Sequence, residues 1–309
     1  MKRILNLPAA TGIDWAVVVH AGLVSLSLCL PGTASSSSSV DICQEPAAES
    51  HLSIAYYNQE ASSFDGNPGE TNLENYDTDI LFQRNERWSF GAGHRYTILN
   101  IDQIELQTNG YLHTFFFPAH KLSQSDKRGF RLSIAPAFSA SSNVVSDLDE
   151  YTIDAVQLLA ALVWNRQLAD RLDLHYGVCG DHRLGDYQVY PVINFRWQIK
   201  PDWLMEIGFP TSQVTHAVSE NLTSSMRITP NGNEWYVKNK SLKNHSQLVY
   251  EAYILEWAFS WRTHENFMLA ASLGREFHRQ YEMTLLDESR VRLSSASATR
   301  VGVAMTWVF

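Results

Sequence analysis

Asp77 and Asp79 stand two residues apart, so on an extended strand both carboxylates point to one side, close enough to share a proton. Asp173 and His175 have the same spacing and offer an acid–base couple. Paired aspartates beside an Asp-His couple are residue types that can activate water for hydrolysis. The surrounding chain also supplies Arg95, Arg131, Arg196 and Arg300, however, and a face on which acids and bases balance accounts for the same residues without catalysis. Ser141, Ser142, His216 and His245 show no spacing that specifies a Ser-His hydrolase. Asp181, His182 and Asp186 could ligate a metal, yet three such residues in a short polar turn are a loose set. The expectation is therefore no catalytic constellation, no metal and no cofactor.

The elements that would position these residues are strands. Apolar residues recur at every second position in segments of about ten, with turn chemistry between them. Leu172, Leu174, Tyr176 and Val178 alternate with Asp173, His175, Gly177 and Cys179. Tyr253, Leu255, Trp257, Phe259 and Trp261 alternate with Ile254, Glu256, Ala258 and Ser260. Twelve strands are expected, at about 51–60, 74–83, 88–98, 103–117, 129–139, 151–164, 171–180, 187–199, 203–217, 247–261, 266–280 and 298–309. Residues 218–246 would form a long loop, with a hairpin turning at Pro230-Asn231-Gly232-Asn233. Opposite the apolar face, small residues mix with Asp77, Asp79, Arg95, Glu105, Arg131, Asp154, Asp173, His175, Arg196, Glu206, Glu256 and Arg300. Glu206 and Glu256 are expected to face Arg196 and Arg300.

The chain divides into three segments. Residues 1–34 read as a signal peptide: Lys2 and Arg3, an apolar stretch from Ala16 to Leu30, then Gly32-Thr33-Ala34 as a cleavage site. Residues 35–50 read as a Ser-rich periplasmic tether, and 51–309 as one domain. Cys43 in the tether and Cys179 in a strand leave a disulfide open as one option. The net charge of −9, without any Lys/Arg stripe, excludes nucleic acid as partner.

Soluble sandwiches also alternate, so the side that meets lipid must be argued separately. Six tryptophans, Trp88, Trp164, Trp197, Trp203, Trp261 and Trp307, fall at one end of the expected strands and on the apolar face. Indole favours the boundary between headgroups and hydrocarbon, so this set reads as an aromatic girdle. Connections of a few residues (84–87, 165–170, 200–202, 262–265) alternate with long polar ones, as periplasmic turns alternate with outer loops. The bulky apolar face would then meet lipid and the charged face a lumen. The last strand, Thr299 to Phe309, resembles the C-terminal signature of bacterial outer-membrane barrels, which implies that Phe309 is read by the barrel-assembly machinery. The stretch 190–210 (YPVINFRWQIKPDWLMEIGFP) is similar to an uncharacterised barrel family, a domain of unknown function.

The reading is an all-β protein: a single closed antiparallel transmembrane β-barrel of about 12 strands in the bacterial outer membrane. Its surroundings would be outer-membrane lipid and lipopolysaccharide. Its expected function is passive passage of small polar solutes. The alternatives are a non-conducting barrel that binds or scaffolds through its outer loops, and, third, a barrel enzyme acting on lipid or peptide.

Overall fold

In the computed structural model the described residues are 41–66, 68–102, 110–125, 127–146, 155–239, 244–284 and 289–309. Their strands are β1 (His51–Ser63), β2 (Glu70–Asn85), β3 (Trp88–Ile101), β4 (Tyr111–Phe116), β5 (Ala119–Ser125), β6 (Arg128–Ser141), β7 (Val156–Ala169), β8 (Leu172–Asp181) and β9 (Gln188–Lys200). The remainder are β10 (Trp203–Phe209), β11 (Ser212–Ala217), β12 (Leu222–Pro230), β13 (Asn233–Asn239), β14 (Asn244–His264), β15 (Phe267–Thr284), β16 (Arg290–Ser295) and β17 (Ala298–Val308). One short helix, α1 (Ser142–Val145), follows β6.

Sequence neighbours pair antiparallel, and β17 pairs with β1 (His51 opposite Val308, Gln59 opposite Arg300), which closes the sheet into a barrel. Three pairs of segments are single staves interrupted once. β4 and β5 both pair with β3 and β6, β12 and β13 both pair with β14, and β16 and β17 both pair with β15. The barrel therefore has fourteen staves, not twelve.

Both extra staves come from the region where sequence alone is least decisive. Residues 203–217 form two strands, because Pro210 has no N–H to give the ladder and the chain reverses at Pro210-Thr211. Residues 222–239, expected in a loop, form a stave beside β14. Pro230-Asn231-Gly232-Asn233 interrupts that stave without reversing it, since Pro230 faces Tyr253 and Asn233 faces Tyr250 on the same partner. Residues 118–128, left between the expected strands 103–117 and 129–139, contain β5.

Side-chain polarity inverts along the tall strands. On β14, Trp261, Phe259, Trp257, Leu255 and Tyr253 point outward, while Glu256 and Ala258 point inward and are buried. Beyond Tyr253 the outward positions become Glu251, Val249 and Gln247, two of the three polar, and the inward ones Ala252, Tyr250 and Leu248, all buried. On β2 the same change occurs between Tyr76 and Glu74. Below this level the barrel is apolar outside and charged inside; above it the polarity is that of a water-soluble protein. Trp261 and Tyr253, like Trp88 and Tyr96, stand eight residues apart. At roughly 3.3 Å per residue and a tilt of about 40°, the apolar band between them is about 20 Å tall, near the value for outer-membrane barrels. The upper strands enclose their own apolar core, including Leu73, Leu112, Trp235, Leu248, Tyr250 and Tyr281.

Candidate functional site

Within the band, the inward face carries ion pairs placed by register. Arg95 lies opposite Asp77 on the paired strand, and its Nε donates to the Asp77 carboxylate at 2.9 Å. Arg227 lies opposite Glu256, with Nη2 donating at 2.7 Å, and both are buried. Arg300 packs over the Tyr57 ring, 4.0 Å from its centroid, and lies 3.7 Å from Glu276. Toward the turn end, His51 contacts Asp79 at 3.2 Å, and Arg196 faces Glu206 at 3.9 Å, partly open to solvent. A cavity of about 100 Å³ lies between Arg95, Arg227 and Arg300 on one side and Asp41, Asp181 and Arg183 on the other. At ~30 Å³ per water it has room for about three.

The sequence-selected residues separate accordingly. Asp77, Arg131, Glu256 and Arg300 are buried in the barrel interior, and Asp79, Arg95, Asp173, His175, Arg196 and Glu206 are half-buried. Glu105 and Asp154 lie outside the described residues. The expected Glu206–Arg196 pair forms, but Glu256 takes Arg227 as its ion-pair partner and Arg300 takes Glu276. Arg227 escaped notice because its stave was read as loop. Glu276 and Arg279 flank a bulge at His278 (φ 53°), where the register against β14 shifts and strict alternation fails. Glu276 nevertheless shares parity with Ser272, which would have been signal enough. Asp181 forms an ion pair with Arg183 (2.8 Å), and His182 Nδ1 lies 2.9 Å from a Glu234 carboxylate oxygen. The six tryptophans Trp88, Trp164, Trp197, Trp203, Trp261 and Trp307 lie at the turn end on the outer face, each more than a third exposed, and Phe309 is half exposed.

The segment expected to be a tether does something else. Residues 41–45 run inside the barrel against β6–β9. Ile42 is fully buried among Phe116, Leu159, Val163 and Val192. Cys43 is joined to Cys179 by a disulfide with a Cα–Cα distance of 5.8 Å. Arg183 binds Asp41, Arg131 donates to the Cys43 carbonyl, and Arg196 donates to Glu45 at 3.1 Å. Burial opposes the Arg183 charge, but Asp41 and Asp181 outweigh it and raise the guanidinium above its ordinary value. Ligand atoms of Cys43, Cys179 and Asp181 lie within 4.8 Å of one another, but the sulfurs are spent on each other and are not thiolates. Peptide mapping of the purified protein should find the Cys43 and Cys179 peptides linked before reduction and separate after it. Recovery of both as free thiols would contradict this placement.

The upper lumen is crossed by β13. Asn233 donates to Thr114 at 2.8 Å, Ser139 and Gln157 donate to the Glu234 carbonyl at 2.7 and 2.9 Å, and Tyr236 bridges to Ala140 of β6. The β8–β9 turn reaches the break in the β12–β13 stave. A Cβ on Gly232 would stand 2.6 Å from the Arg183 carbonyl oxygen, so only glycine permits that approach.

A protein-family model described as a domain of unknown function, DUF6268, matches residues 78–290. The chain belongs to this family. No curated protein matches the sequence. Among solved structures, the family member is similar to an outer-membrane channel from Pseudomonas putida F1, at 8% identity and a TM-score of 0.44 over 86% of this chain and 97% of that one. It is also similar to a bacterial polysaccharide outer membrane secretin (12%, 0.41, 86% and 100%). A third is the KdgM porin in complex with disordered oligogalacturonate (8%, 0.40, 83% and 99%). At these scores the likeness assigns no solute to the DUF6268 barrel.

Proposed function

We propose that this protein is a channel of the bacterial outer membrane that passes small polar solutes by diffusion, seen here in a closed state. The observation that carries the reading is the inversion of polarity: charged and hydrogen-bonding groups line the lumen while aromatic and aliphatic groups face outward between two aromatic levels. That band supports a position among outer-membrane lipid, with lipopolysaccharide around its upper edge, and the terminal Phe309 supports delivery by the barrel-assembly machinery. Each arginine that lines the cavity is paired with a carboxylate, Arg95 with Asp77, Arg227 with Glu256, Arg300 with Glu276 and Arg183 with Asp41 and Asp181, so neither sign of ion is strongly favoured.

Planar-bilayer recording of the refolded protein tests this. The wild type is expected to show small or rare steps, because residues 41–45 fill the lumen. A variant lacking those residues should open larger steps, with cation and anion permeabilities within about threefold of each other. The apolar core of the upper strands favours a second reading, a non-conducting barrel that presents its outer surface to a partner. Silence from both proteins, each folded by heat-dependent gel migration, would decide for that reading.

A further inference from the structure

Residues 41–45 sit in the lumen as a ligand sits in a site. The wall beneath them departs from the charged inner face of the band. Phe116, Leu159, Val163 and Val192 make an apolar strip where a water-filled path would carry polar groups, and Ile42 packs against them. Arginines stand along the strip. Arg183 holds the carboxylate of Asp41 and Arg196 that of Glu45. Arg131, between them on β6, is buried to 7% exposure and donates only to the Cys43 carbonyl; its Nε and Nη1 meet no partner among the described residues. A buried guanidinium satisfied by one carbonyl is an incomplete arrangement. A carboxylate at the same place would neutralise the charge and accept two parallel N–H bonds.

We propose that this strip is a binding site for an amphipathic carboxylate, a solute with a short apolar body and one or two carboxylate groups. The N-terminal segment occupies it as an intramolecular stand-in, with Ile42 in place of the apolar body and the Cys43–Cys179 disulfide holding it there. The inference rests on the reading of the lumen as a solute path and names the solute class. The segment meets the strip with an aliphatic side chain and two flanking carboxylates, but gives Arg131 a neutral carbonyl. A free carboxylate improves on the segment at Arg131, so in a chain whose disulfide is removed by substitution, or reduced to two thiols by an external dithiol that is itself oxidised to a disulfide, the solute displaces it.

The test uses the full chain with Cys179→Ser, refolded in a non-ionic detergent, which leaves Cys43 a thiol covered by the docked segment. Maleimide labelling of Cys43 is followed by peptide mass, with hexanoate as probe and hexanol and acetate as controls. Hexanoate is expected to accelerate labelling about tenfold, as the undocked population rises. Hexanol lacks the charge and acetate the apolar body, so neither should do so. Adding Arg131→Gln should remove most of the hexanoate effect. If that variant does not fold by gel migration, Arg131→Lys, which keeps the charge but not the two parallel N–H donors, makes the comparison and should reduce the hexanoate effect. A labelling rate unchanged by hexanoate, or raised equally by hexanol, overturns the proposal. Labelling needs no ion flow, so a silent barrel can still pass this test and a conducting one can still fail it.

Discussion

Arg227→Met is expected to destabilise the barrel by about 3–5 kcal/mol, because it removes the guanidinium that compensates the buried Glu256 carboxylate while that carboxylate stays in place. The pair spans β12 and β14, with the two residues directly opposite each other. The partner change should be informative as well. In the double variant Arg227→Met/Glu256→Met no buried charge is left at that position, and most of the loss should return, since well-packed apolar replacements of a buried pair are often neutral. Urea titration of the refolded protein in lipid, followed by tryptophan fluorescence, measures both. A loss in the single variant below about 1 kcal/mol would mean that the pair is hydrated as a surface pair is.

The second large effect concerns the outer face. Leu273 on β15 points outward midway up the band and is 57% exposed. On the proposed membrane placement an arginine there would face hydrocarbon and is expected to cost about 2–4 kcal/mol. Gln247 on β14 also points outward, but above Tyr253, where two of the three outward positions, Glu251 and Gln247, are polar. Gln247→Arg is expected to cost less than about 1 kcal/mol by the same titration. Equal costs at the two positions would place the boundary of the band elsewhere than at the Tyr253 level. Together the two substitutions measure the height at which the strands leave lipid.

The same inversion shows what was legible beforehand and what was not. Strand type, the outward apolar face and the outward placement of the tryptophans were readable because each depends on neighbours two residues apart, and period-2 alternation records that directly. Asp77 and Arg95 could be assigned to one face for the same reason. Which acid meets which base was not readable. That choice depends on which staves are adjacent and in what register, and alternation is unchanged when another stave is inserted. Once β12 stands next to β14, Glu256 meets Arg227, and Arg300 on β17 is left to Glu276 of its own neighbour, β15.

Stave count failed at two places with one cause. Pro210 and the Pro230-Asn231-Gly232-Asn233 run both carry turn chemistry, yet the first reverses the chain and the second only interrupts it. Local sequence marks where a ladder bond is missing; whether the chain then turns is decided by the long β14, which offers partners to both arms of 222–239. The plug lay furthest from sequence reasoning. Five residues behind a serine tract carry no periodicity, and their burial comes from an apolar strip assembled by three other strands and from a cysteine 136 positions away. The sequence by itself therefore determined a barrel with its apolar face outward, because that follows from local spacing. Only the tertiary structure decided that the lumen is occupied and by what, because that follows from contacts between segments far apart in the chain.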